Sequence, residues 1–192
     1  MTYTLNPLLT LIKTLFGKEN VLMSSLKPAV YGIIFNQPHD HVLLIQRRDV
    51  PVWVLPGGGI DPGERPEEAI LREMKEETGY EVKIVRQIAE YLPVNKLTQL
   101  SFYYECQAIS GEKKTGDETK AIRFFPVNDL PKLMPPPFAD WIADAVANKK
   151  EIIRKEILGV SYWVLVKLLL LHPILVGRFL LTKLGIHINS KD

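Results

Sequence analysis

Residues 58–80 read GGIDPGERPEEAILREMKEETGY, a glycine turn running into a helix with acids at Glu73, Glu76 and Glu77. Positions i, i+3 and i+4 share one helical face, so these three carboxylates project within reach of one another. Three crowded carboxylates repel unless a cation joins them. Hard divalent ions take oxygen ligands, and Mg²⁺ in particular is shared between a few carboxylates and substrate phosphates, which makes a phosphate-handling site the natural reading. Both helix ends are written into the chain. Pro66 suits the first turn, where a missing N–H costs nothing, and Gly79 suits the left-handed residue just past the last turn. Ile70, Leu71 and Met74 make an apolar stripe for the core, on a different face from the acids. Arg72 stands beside Glu73 and four residues before Glu76, where it can offset the acids or hold one carboxylate in place. Arg65 is the odd residue, at a position where a Ser or Asp cap is expected.

Acids on a surface helix are usually a solvated face. Glu67 and Glu68 keep that reading, because acids in the first turn favour the helix dipole. For the others the flanking residues decide. The segment resembles the Nudix box, G-x5-E-x7-R-E-U-x-E-E-x-G-U with U a bulky apolar residue: Gly58, Glu64, Arg72, Glu73, Glu76, Glu77 and Gly79 fill its seven fixed places. A chance match of this kind is on the order of one in a million. Met74 fills the first apolar slot; Tyr80 takes the last, where the family more often has an aliphatic residue.

The resemblance implies the Nudix fold, an α+β architecture with a mixed sheet held between helices, over roughly residues 28–155. It also implies hydrolysis of a nucleoside diphosphate linked to another group, with water attacking one phosphorus. A diphosphate ester repels hydroxide, so such a reaction calls for a metal, Mg²⁺ with Mn²⁺ as a substitute, that neutralises oxygens and activates water. Glu73, Glu76 and Glu77 are read as its ligands, helped by the backbone carbonyl of Gly57 or Gly58. Carried over from the family pattern, Glu64 and Arg72 orient those ligands. The general base is either a box glutamate or an acid on a later loop. Glu118, within Gly116-Asp117-Glu118-Thr119, is the loop candidate, set against the default that a charged loop residue faces solvent. A second acid that related sequences often carry three residues on is Ala121 here.

At 192 residues and 46% hydrophobic content the chain can bury a core of its own, and disorder is excluded. Its organisation reads as an apolar N-terminal extension (1–27), one hydrolase domain (28–156) and a hydrophobic, basic tail (157–192). Strands are expected at 29–35, 41–46, 53–55, 82–92, 101–109 and 121–127, with a loop over 111–120. After the proline run 135–137, Phe138, Trp141, Ile142, Ala145, Val146, Ile152 and Ile153 recur at helical spacing and predict one closing helix. Cys106, the single cysteine, reads as a core thiol and fits a reducing, cytoplasmic compartment. Trp53, Tyr91 and Tyr103 could stack a base, although aromatics in strands are more often core. Pro93 reads as a turn, and no nucleic-acid polymer is expected as a partner.

The net charge of +2 hides an asymmetry, since residues 149–192 carry eight Lys or Arg against three acids. From Ile157 to Val176 thirteen of twenty residues are Ile, Leu or Val, yet Lys167 and His172-Pro173 interrupt the run. Pro173 divides the tail into two short helices. One reading lays residues 157–188 as a hairpin on the inner face of a membrane, with Lys167, Arg178 and Lys183 on anionic lipid. The equal alternative is protein contact, either with the apolar segment 5–16 or across a homodimer. That first segment lacks a basic start and a cleavage pattern, so it does not read as a signal peptide. The function classes are therefore a metal-dependent diphosphatase, a membrane-associated hydrolase of lipid-linked diphosphates, and a binding or regulatory module with a structural box.

Overall fold

The computed structural model describes residues 27–147 and 150–183. Its longest strands, β5 (Tyr80–Leu92) and β6 (Ser101–Gly111), pair antiparallel and form the middle of a five-stranded sheet. With β4 as Gly57–Gly59, the order is β4-β1-β6-β5-β8, in which β1 (Ala29–Ile33) runs parallel to β6 and β8 (Ile153–Glu156) parallel to β5. A second sheet, β3-β2-β7, joins Trp53–Val54, His41–Arg47 and Thr119–Pro126. Segments of alternating Val, Ile, Tyr and Phe thus take their expected strand form. The chain is α+β with a mixed sheet.

Helix α1 (Pro66–Thr78) has the expected bounds, with Gly79 left-handed at φ 78°. Arg65 at its N-cap is served from the other direction: its N–H donates to Glu68 Oε2 at 3.0 Å, so the first-turn acid does the capping. Ala69, Ile70 and Met74 are fully buried, whereas Leu71 is 40% exposed. The expected stripe is therefore corrected by one residue, because the buried face turns through Ala69 at i−1 and i−5 from Ile70 and Met74 rather than through Leu71. Helix α2 is Phe138–Val146. Gly32 of β1 lies under Ile70 and Met74, while the adjacent Tyr31 ring meets Phe138 and Trp141 at 5.5 and 5.8 Å between centroids. Successive strand residues face opposite sides, so α1 and α2 cover opposite faces of β1.

Two expectations need correction. The closing helix stops at Val146, and Ile153, read as its last apolar residue, is instead the first residue of β8, paired with Ala89 on the open edge of β5. Ile152 and Ile153 match the helical spacing by coincidence; Ile152 lies in the connection, and backbone groups left free on β5 capture Ile153 as strand. The strand β4 (Gly57–Gly59) was not expected at all, because glycines carry no strand propensity. It forms through backbone pairing with β1, Gly57 opposite Tyr31 and Gly59 opposite Ala29.

Helices α3 (Tyr162–Leu171) and α4 (Pro173–Lys183) follow the sheet. Ser161 caps α3 by accepting the Val164 N–H at 3.3 Å. Ile157 and Val176 are buried, whereas Trp163, Leu170 and Ile174 are 73–79% exposed. Among the described residues no helix is long and apolar enough to cross a membrane. The apolar segment 5–16 lies outside the described residues, as does the tail beyond 183.

Candidate active site

Helix α1 lies against β4, and the glycines make that approach possible. A Cβ on Gly58 would stand 2.5 Å from Glu73 Oε1, so only hydrogen leaves the carboxylate its place. Beneath it, Glu77 is buried, and its Oε2 accepts the Gly57 N–H at 2.6 Å. Gly57 thus turns its N–H toward Glu77. Burial pushes the Glu77 carboxyl up to about 8; Glu73 and Glu118 add to the shift, and the Gly57 N–H and Arg47 oppose it. Glu73 is raised for the same first reason, with Glu76 and Glu118 adding and Arg72 opposing.

Arg72 organises the other side. Its Nε and Nη2 donate to the two oxygens of Glu64, both at 2.9 Å, a fork that fixes the guanidinium plane. Nη1 donates to Glu73 at 2.7 Å and Glu76 at 3.3 Å, and Nη2 also reaches the Gly59 carbonyl at 3.1 Å. Glu64, held by Arg72 and by the Asp61 N–H, titrates far down, at about 2. One guanidinium therefore links the turn to two acids of the helix.

The expected trio of gathered carboxylates takes a looser form. Among the described residues no three acidic, histidine or cysteine side chains converge as a ready metal cage. Glu73 and Glu76 lean on Arg72, and Glu77 leans on Gly57. Like charges part, and each takes its nearest donor. The donor set nevertheless suits a hard divalent cation: every group is an oxygen, two of the acids are desolvated, and each of those two is raised by its neighbours' charge, a strain that a cation relieves. Glu73, Glu76 and Glu77 would hold such an ion.

Glu118 reaches this cluster through a loop the sequence left unplaced. A Cβ on Gly116 would stand 2.5 Å from the Glu76 carbonyl oxygen, so this glycine lets the loop lie directly on α1. The Lys114 N–H donates to the Thr78 carbonyl at 2.9 Å, tying the loop to the helix end. Glu118 itself is exposed, yet its charge acts on Glu73, Glu77 and Arg47.

Arg47 and Tyr31 are further members that sequence reasoning missed. Arg47 ends β2 and pairs with Asp49 through 2.9 and 2.7 Å contacts, with Glu118 and Glu77 also favouring its charge. The Tyr31 hydroxyl is pushed up to about 12 by burial, with Arg47 opposing and Glu77 and Glu73 adding. Neither sits in a motif; only the three-dimensional pairing of β1 with β4 and of β2 with β7 brings them to the acids. Tyr91 and Tyr103, considered as base-stacking residues, are 2% and 1% exposed and pack against Trp141 in the core. Cys106 is buried there too.

Comparison with known proteins points the same way. The model of the NUDIX domain family matches residues 25–148. A Methanocaldococcus jannaschii protein named ADP-ribose pyrophosphatase is 39% identical over 111 residues, covering 55% of this chain and 64% of that protein; the chain spans just under two-thirds of that relative's length. An RNA pyrophosphohydrolase of Nitratiruptor sp. is 31% identical over 124 residues, covering 54% of this chain and 80% of its own. The crystal structure of an ADP-ribose pyrophosphatase from Streptococcus suis superposes with a TM-score of 0.57 at 27% identity, over 68% of this chain and 98% of that one.

Proposed function

The chain belongs to the NUDIX domain family, and from that premise we propose that it hydrolyses the P–O–P bridge of a nucleoside diphosphate linked to another group. The observation that carries this reading is the pair of desolvated acids set against a glycine turn, Glu73 braced by Arg72 and Glu77 by the Gly57 N–H. A bound Mg²⁺ or Mn²⁺ supplies charge neutralisation at the diphosphate and a more acidic water. The protein's own part is to aim and to move one proton. Glu73, Glu76 and Glu77 would hold the cation, with the Gly57 or Gly58 carbonyl as a further donor, while the Glu64–Arg72 fork keeps their helix face in register with the turn. Glu118, exposed and within electrostatic reach of the cluster, takes the proton of the attacking water. A new bond forms from that oxygen to one phosphorus as the bridging P–O bond breaks, and its electron pair leaves on the other phosphate. A purely structural box finds no support in the sequence, since none of its glutamates is lost.

The test is turnover of a panel comprising ADP-ribose, a UDP-sugar, a dinucleoside polyphosphate, a nucleoside triphosphate and a lipid-linked diphosphate, with Mg²⁺. The Glu76→Gln variant should lower kcat at least ~100-fold while remaining folded, because it removes charge stabilisation from the transition state. Near wild-type turnover in that variant contradicts the assignment.

A second reading concerns location. The described tail from 157 to 183 contains no acid and exposes Trp163, Leu170, Leu171 and Ile174; of its three cations, Lys167, Arg178 and Lys183, the expectation of Arg178 on lipid is corrected, because its guanidinium is turned onto the Arg48 and Asp49 carbonyls. Cationic groups beside exposed apolar side chains suit the anionic inner face of a membrane, and would bring a cytoplasmic enzyme to lipid-linked diphosphates. Flotation with anionic vesicles should need the tail: a chain ending at Glu156 that floats as well as the full chain refutes a lipid anchor. Concentration-dependent dimerisation without flotation would favour a second copy instead.

A further inference from the structure

The C-terminal helix touches the site's own scaffold. Arg178 of α4 sends Nε to the Asp49 carbonyl at 2.6 Å and Nη2 to the Arg48 carbonyl at 3.0 Å, two successive acceptors 129 and 130 residues away in the chain. Val176 on the same helix is buried, and the Thr182 hydroxyl, one turn beyond Arg178, donates to the Arg178 carbonyl at 3.1 Å.

The segment gripped in this way has two links to the acids. Through its side chain, buried Asp49 holds Arg47 in a bidentate pair, and Arg47 acts on Glu77 and Glu118. Through its backbone, the Arg48 N–H donates to the Glu118 carbonyl at 2.9 Å. The residues between β2 and β3 are connecting loop, and a loop aims a side chain well only when something rigid fixes it. A guanidinium fork on two neighbouring carbonyls is such a fixture, since both bonds are charge-assisted and share one plane.

We propose that Arg178 is a positioning residue for hydrolysis: it locks residues 47–49, and through them the Arg47 guanidinium and the Glu118 backbone, relative to the acids of α1. The tail is then a working part of the enzyme, not merely an appendage to it. This inference rests on the reading of Glu118 as the proton acceptor, and it adds a residue outside the family-matched segment 25–148.

The experiment uses the full chain and has two arms. In the first, amide hydrogen exchange is measured without metal or nucleotide on wild type, Arg178→Ala and Arg178→Lys. Exchange of the Arg48 amide should rise at least tenfold in Arg178→Ala, with α1 unchanged, and by less in Arg178→Lys, which keeps a cationic donor but loses the fork. In the second, turnover of the panel member cleaved fastest should show kcat lowered about tenfold with KM within twofold, as expected for a misaimed group at sub-ångström to ångström displacement. Partial recovery of kcat in Arg178→Lys completes the expected pattern. An unchanged Arg48 amide overturns the clamp, and a freed amide with unchanged kcat overturns its role in catalysis. A rise in KM alone also overturns it. If the alanine variant does not fold, the lysine variant is judged by the same criteria. A wild-type chain that cleaves no panel member defeats the hydrolase reading, and this is seen before any variant is compared.

Discussion

Replacing Glu77 with glutamine separates the charge of this side chain from its shape. Glutamine has the same length, and its amide oxygen can still accept the Gly57 N–H that Glu77 accepts at 2.6 Å. In the folded chain the carboxyl holds its proton up to about pH 8, against an ordinary value of 4.5. Between those limits the unfolded chain has released the proton and the folded one has not, so wild-type stability falls as pH rises through this window and levels off above it. Each pH unit costs at most ~1.4 kcal/mol, and the whole window is worth on the order of 3–5 kcal/mol. In EDTA at pH 5 the two proteins should therefore melt together. At pH 9 the variant should be the more stable one by several degrees, since ~1 kcal/mol moves Tm by about 2–4 °C at this size. Excess Mg²⁺ should then reverse the order, raising the wild type by mass action and leaving the variant nearly unmoved. Thermal unfolding followed by circular dichroism at both pH values reads all of this. Parallel pH dependence of wild type and variant in EDTA would refute the argument that Glu77 is a desolvated acid.

The two box glycines should fail in different ways. Gly58→Ala meets only the mobile end of Glu73, so stability should stay within ~1 kcal/mol while kcat/KM falls at least tenfold through the displaced carboxylate; a variant of full activity would contradict this geometry. Gly57→Ala meets the Val30 carbonyl and lies 2.8 Å from the Tyr31 Cα, both backbone, so it should lose more than ~2 kcal/mol in chemical denaturation. Met74→Ala, which empties a fully buried site over Gly32, should cost about 2–5 kcal/mol; a loss below ~1 kcal/mol would mean that α1 is not packed on β1 as described.

The helix carrying the acids could be read from the chain because its signals are local: Pro66 and Gly79 bound it, and three glutamates at i, i+3 and i+4 must share a face. The strands β2, β5, β6 and β7 were legible for the same reason, through runs of β-branched and aromatic residues. What escaped was whatever depends on a partner far away in sequence. Three glycines become β4 only because β1 offers an edge, and Ile153 becomes strand only because β5 does. Leu71 looked like core because periodicity gives a helix its stripe but not the exact angle at which a sheet receives it. In the site, Glu77 and Glu118 were named from pattern, whereas Arg47, Tyr31 and Gly116 carry no local signature and are recruited by strand pairing and by close backbone approach. The carboxylates themselves lie further apart than their shared face suggested, since Arg72 and the Gly57 N–H each draw one away.

The acids of α1, with a divalent cation, are proposed to open a P–O–P bridge. Phosphorus-31 NMR of the nucleotide panel incubated with the full chain and Mg²⁺ or Mn²⁺ tests it most directly. At least one diphosphate signal should be replaced by two phosphate or phosphomonoester signals in wild type, and none in Glu76→Gln or in EDTA. A folded wild-type chain that leaves every member intact with either ion, or that cleaves one equally well in EDTA, would contradict it.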